Sequence, residues 1–167
     1  SNIILKKGDR AGMITFSNKP GSFIKADNRS NQLNRISEAL YKLNTDFLET
    51  DFEQLYKTML RQVPTRSLCV LFTNFDTVQG MRRHLPALRQ LAKRHLLLII
   101  LFKNSELVRA VEQPVHSLKE IYFETTASGF LMEKYQMVNE LHKTGIKVIL
   151  SRPEELTANT INTYLQL

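Results

Sequence analysis

Leu96-Leu97-Leu98-Ile99-Ile100-Leu101-Phe102 is the stretch that decides the fold. It is apolar at every position, whereas a strand with one solvated face would alternate, so both of its faces are expected to be covered by helices, as in a parallel sheet. Its length suits a strand and falls far short of the roughly 20 residues that cross a bilayer. Similar short apolar runs lie on either side in sequence, Ser67 to Phe72 and Ile146 to Leu150. Between them the period changes. Leu85, Leu88, Leu91 and Ala92 supply the inner face of a helix over Gly80 to Arg94, and Ala127, Leu131, Tyr135, Val138 and Leu141 that of a long helix over Leu118 to Lys143. A short segment near Ser105 to Glu112 precedes the long helix, and a final helix over Thr157 to Leu167 packs through Ile161, Tyr164 and Leu165. Regular alternation of strand and helix predicts an α/β chain with a doubly wound, mostly parallel sheet.

The N-terminal part reads differently. Gly12 to Ser17 and Ser22 to Ala26 are short strands joined by the turn Asn18-Lys19-Pro20-Gly21, a connection too brief for anything but an antiparallel pair. From Ser30, Leu33, Ile36, Leu40 and Leu43 fall at helical steps. Thr50 opens a second helix with Phe52, Leu55, Tyr56, Met59 and Val63 on its apolar side, and Pro64 ends it. Gly129 costs the long helix about 1 kcal/mol relative to alanine and is a place for a break. Gly145 suits the left-handed position just past that helix. No repeat, low-complexity tract or linker divides the chain, and its 167 residues fit one domain, 1–167.

Charged residues at 23% and hydrophobic residues at 43% argue against disorder. The lone cysteine, Cys69, excludes an internal disulfide and reads as a reduced, buried thiol. The four histidines, His84, His95, His116 and His142, show no zinc spacing and read as scattered surface residues. No Gly-x-Ser-x-Gly elbow occurs, and Gly8 and Gly12 precede a strand rather than a helix, so they cannot cradle a phosphate at a helix start. The net charge of +7 is concentrated locally, in a segment from Met81 to His95 that contains no acid. There Arg82, Arg83, Arg89 and Lys93 face outward, forming either an ordinary solvated helix face or a basic surface for nucleic acid or an acidic partner. No aromatic residues are interleaved with them to stack bases, so nucleic acid is not expected.

Several ordered landmarks resemble von Willebrand factor A-like domains. They are Gly8-Asp9-Arg10-Ala11-Gly12-Met13-Ile14-Thr15-Phe16-Ser17, Thr50-Asp51, Ser67 to Asn74, Leu91-Ala92-Lys93-Arg94-His95, Gly145-Ile146-Lys147-Val148, Pro153-Glu154-Glu155-Leu156 and Asn162-Thr163-Tyr164-Leu165. Within that class they are most similar to a bacterial family of unknown function encoded beside MoxR-type AAA+ ATPases. The resemblance implies a chain that lacks the family's first, central strand. One antiparallel edge strand would remain, with a gap beside Ser67 to Phe72 to be filled by Asn2 to Lys6, by a partner chain or by re-pairing. A homodimer is one such outcome.

These domains hold a divalent cation with an Asp-x-Ser-x-Ser loop, a threonine and an aspartate. The loop is absent here, Thr50 alone matches a ligand position, and Asn74 stands where the aspartate belongs, with Asp76 two residues on. Asparagine offers an oxygen without the charge that offsets metal dehydration, so the expectation is a degenerate site at Thr50, Asn74 and Asp76 with no bound metal. Mg2+ is allowed only in an intact protein. Thr50-Asp51-Phe52-Glu53 also has the spacing of a capping box, a purely structural role. The resemblance therefore implies a non-enzymatic interaction or scaffolding module that acts with a MoxR-type AAA+ ATPase. It would be a cytoplasmic domain without membrane contact of its own, in a parent protein that the family often anchors in a membrane.

Overall fold

The computed structural model describes residues 8–43, 50–112 and 117–165. The Asn2 to Lys6 segment and His116 lie outside these residues, as do the side chains of Ile161, Tyr164 and Leu165. The protein is α/β, and its chain divides into two compact units, Ser1–Pro64 and Thr65–Leu167.

In the first unit, β1 (Ala11–Phe16) and β2 (Pro20–Asp27) form an antiparallel pair, as the short turn requires. Helices α1 (Gln32–Tyr41) and α2 (Phe52–Gln62) follow. Ala11, Ile24 and Ile36 form a small core with Met13 and Ala39 packed on it. Phe16 meets Phe52 edge to face, with ring centroids 5.6 Å apart. The buried face of α1 is not the expected stripe of leucines. Gln32 and Ile36 are buried while Leu40 and Leu43 are exposed. The cause is Gln32, whose Nε2 donates to the carbonyls of Ala11 at 2.7 Å and Lys25 at 2.9 Å, which turns that side of the helix toward the hairpin.

The second unit carries β3 (Leu68–Phe72), β4 (Leu96–Phe102) and β5 (Lys147–Ser151), parallel and side by side in chain order. Leu97 to Leu101 of β4 are all buried, so both faces of the central strand are covered, as an apolar run without alternation demands. Helix α3 (Val78–Arg94) joins β3 to β4, and α4 (Ser105–Glu112) with α5 (Leu118–Lys143) joins β4 to β5. Helix α3 packs against α5, as helices do when successive crossovers of one hand add strands in one direction. A 3₁₀ turn (Pro153–Glu155) leads into α6 (Leu156–Leu165). The described strands thus form two sheets rather than one sheet with an antiparallel edge strand. The hairpin strands pair with each other, and the pairing of β3 is with β4.

Helix α5 continues through Gly129 without a break, and Gly145 just beyond it has φ +79°, the left-handed conformation expected there. Its buried face is Ala127, Met137 and Leu141, with Leu131, Lys134 and Val138 half-buried beside them. Tyr135, expected inside, is exposed, because the stripe centres one residue earlier and its hydroxyl is hydrogen-bonded to Lys103. His95 also departs from expectation: it is buried, not a surface histidine. As the residue that terminates α3 and precedes the buried β4, it is drawn into the core. Among the described residues no helix is long and apolar enough to cross a membrane.

Candidate functional site

Open α/β sheets bind ligands beyond the carboxyl ends of their strands. At that edge β3 runs into Thr73-Asn74-Phe75-Asp76-Thr77, and Thr77 then caps α3 by accepting from the Gly80 N–H at 3.0 Å. Phe75 is buried and stacks on His84, with centroids 6.2 Å apart, which anchors the loop from below. Asn74 and Asp76 flank that anchor and are exposed.

Two consecutive residues of α5 hold this loop from the side. Glu133 Oε1 accepts from the Val78 N–H at 2.9 Å, placing a carboxylate on an orphan amide at the start of α3, where the helix dipole also favours negative charge. Lys134 Nζ donates to Asn74 Oδ1 at 2.7 Å and also to the Phe75 carbonyl. Burial pushes the Lys134 ammonium below its ordinary pKa, while Asp76 and Glu133 pull it back up. The next residue, Tyr135, serves the neighbouring strand. Lys103, just past β4, donates to its hydroxyl at 2.8 Å and lies 4.9 Å from its ring centroid.

The loops after β4 and β5 are likewise tied to each other. Asn104 Oδ1 accepts from the Glu106 N–H at 2.8 Å, and Ser105 Oγ bonds both carboxylate oxygens of Glu154. The Glu154 backbone N–H, then Ser105, hold that carboxyl below its usual pKa. Arg152 pairs with Glu112 at 2.8 Å. Ser151 is buried, accepts from Asn159 Nδ2 at 3.0 Å and donates to the Arg152 carbonyl. These polar groups are joined as loop ties. Among the described residues no group of three or more His, Cys, Asp or Glu side chains could hold a metal ion.

Of the three residues expected at a degenerate cation site, Asn74 and Asp76 share this loop in the second unit, and Thr50 belongs to the first. The capping box expected of Thr50 does not form. Asp51 is the N-cap of α2, with extended backbone and its side chain accepting from the Gln54 N–H at 2.9 Å. Aspartate caps at least as well as threonine, and starting the helix at Phe52 shifts Glu53 out of the reciprocal position. Glu53 instead approaches Lys57 at 3.8 Å.

The residues of the proposed basic surface divide by role. Arg82 is bound to Glu140 of α5, whereas Arg89 and Lys93 remain exposed. Cys69 is half-buried, and its thiol is pushed up to about 11 by burial, which makes it a poor nucleophile. In the first unit, the depression lined by Ile14, Phe16, Asp51, Gln54 and Thr58 has no room for a water-sized guest.

The residue at this loop that sequence reasoning misses is Lys134, since a lysine on a helix carries no sign of a target 60 positions away. Comparison of the chain with protein-family models, with curated proteins and with solved structures finds no match.

Proposed function

We propose that this chain is a protein-interaction module that works without catalysis, and that its partner is an AAA+ ATPase of the MoxR type met on the cytoplasmic side. The observation that carries the interaction reading is the stretch Leu118 to Met132 of α5. Leu118 (76% exposed), Tyr122 (75%), Met132 (62%), Phe123, Phe130 and Ile121 all present apolar surface there. Large apolar side chains left exposed along one helix, aromatic residues and methionine above all, mark contact surfaces. The loop ties at the carboxyl edge support the same reading, since the polar groups there are engaged in holding structure.

The choice of ATPase and of a von Willebrand factor A-like fold comes from the sequence resemblance. Three parallel strands side by side in chain order agree with it, because that is how one half of a doubly wound sheet is arranged. The basic surface on α3 ranks second, because Arg82 is committed to Glu140.

Pull-down of the purified ATPase by this chain, in ATP, ADP and nucleotide-free states, tests the proposal. Binding that Tyr122→Glu and Phe130→Glu weaken together is expected. Reproducible failure in every nucleotide state would count against the ATPase, and binding that ignores both substitutions would count against the α5 face.

A further inference from the structure

We propose that Lys134 is the resident cation of this sheet edge: its ammonium fills an oxygen-lined cradle formed by Asn74 Oδ1 and the Phe75 carbonyl, flanked by the Asp76 and Glu133 carboxylates, and so closes that cradle to divalent ions. The inference is independent of the interaction reading.

The donor set is the first argument. Amide carbonyl, backbone carbonyl and carboxylate oxygens are what hard divalent cations take, and the place, beyond the carboxyl end of β3, is where open α/β sheets put ligands. The second argument is the behaviour of the side chain. A lysine on a helix normally runs its stem along apolar surface and leaves its head in water. Lys134 is half-buried and turns its head into the β3 to α3 loop, giving hydrogen bonds to two oxygens there. Hydration lost on burial has to be replaced by such acceptors and by nearby opposite charge. The third argument is that the cradle is held in place without the lysine. Glu133 is fixed by the Val78 N–H, Phe75 is buried under the loop, and Thr77 caps the helix that follows. Removing the ammonium would take away the positive charge that the Asp76 and Glu133 carboxylates act on, and leave the Asn74 and Phe75 oxygens without their donor. That arrangement either takes up a cation or becomes less stable.

Lys134→Ala should therefore lower the melting temperature in chelator and recover with Mn2+ or Mg2+. The recovery should be roughly 5 to 10 °C at an ion concentration about 100 times the dissociation constant. The unsubstituted protein should show no such response, and Asp76→Asn added to Lys134→Ala should abolish it. Folded Lys134→Ala protein that is indifferent to millimolar Mn2+ would overturn the proposal, as would Mn2+ binding by the unsubstituted chain at this loop.

Asn74→Asp with Lys134 retained gives an arm that does not depend on the alanine variant folding. The new carboxylate should pair with the ammonium, raise the melting temperature in chelator and leave the electron paramagnetic resonance signal of free Mn2+ undiminished. Loss of that signal on adding Asn74→Asp protein would mean that the cradle was an open metal site, and the proposal would fail.

Discussion

Arg82 of α3 forks onto Glu140 of α5: Nε donates to Oε2 at 2.9 Å, and Nη2 donates to Oε1. This hydrogen-bonded pairing holds the Glu140 carboxyl below its ordinary pKa and joins two helices that lie side by side against the sheet. Arg82 is thereby withdrawn from any polyanion surface. Arg82→Gln is expected to leave the affinity for a short DNA duplex unchanged in fluorescence anisotropy, and what binding there is should fade by about 200 mM salt. A log-log salt slope near about −3.6, as four released counterions would give, reduced by about one in Arg82→Gln, would promote the basic surface over the interaction module.

Gln32 closes the end of the N-terminal hairpin by donating to two carbonyls from a buried position. Gln32→Ala leaves both acceptors without that donor and should lower stability by about 2 kcal/mol, read as a drop in the urea midpoint. Gln32→Glu should be worse than alanine, since it turns a carboxylate toward oxygens 2.7 and 2.9 Å from the present amide nitrogen. A glutamate variant at least as stable as the alanine variant would show that the amide does not hold the hairpin in this way.

His95 is 3% exposed, and its Nδ1 has no hydrogen-bond partner. Burial first, then the neighbouring Arg94, lower its pKa from the ordinary value of 6.5. The unfolded chain takes up a proton near 6.5 while the folded ring resists it, so the unfolded state binds more protons in the window below that pH. Stability from this residue is accordingly complete above about pH 6.5 and declines as pH falls through the window below it. Melting temperatures between pH 7.5 and 5 should show that decline, with a flatter profile in His95→Leu. An equally steep profile in the variant would assign the decline to other groups.

Strand β3 pairs with β4 alone among the described strands, so one row of its backbone groups has no strand partner among them. Leu68 to Phe72 contains neither a charge nor a proline, the features that usually guard such an edge. Edge pairing between copies is the expected use, giving a concentration-dependent dimer in sedimentation equilibrium that Val70→Lys disrupts. A monomer across the whole concentration range would leave the edge to some other strand.

How much was legible follows from where the information lies. The apolar run of β4, the segment Ser105–Glu112 and the span Leu118–Lys143 coincide with elements seen in the structure, because periodicity and apolar run length are local. Helix faces were read with less angular accuracy: Leu40 and Tyr135 are exposed, and Gln32 and Lys134 turn inward. In each case a polar side chain with a distant backbone or loop target rotates the face away from the most apolar choice. Asn74 and Asp76 lie on the loop that follows β3, but nothing local announces that Lys134 reaches Asn74 or that Glu133 reaches Val78. Capping at Asp51 rather than Thr50 shows the limit at its smallest, since adjacent residues both able to cap differ only in backbone conformation.

Gly129 and Gly145 offer a paired test of backbone cost. Gly129 lies within α5 in ordinary helical conformation, exposed, and a methyl group added there would meet nothing within 4 Å. Gly129→Ala should therefore stabilise the helix by about 1 kcal/mol and raise the melting temperature by roughly 2 to 4 °C. Gly145 has equally open space around it but φ +79°, where a side chain strains the backbone, so Gly145→Ala should lower the melting temperature. Space around the two positions is the same, and only the dihedral differs. If both substitutions shifted stability in the same direction, left-handed geometry would not be what selects glycine at the end of α5.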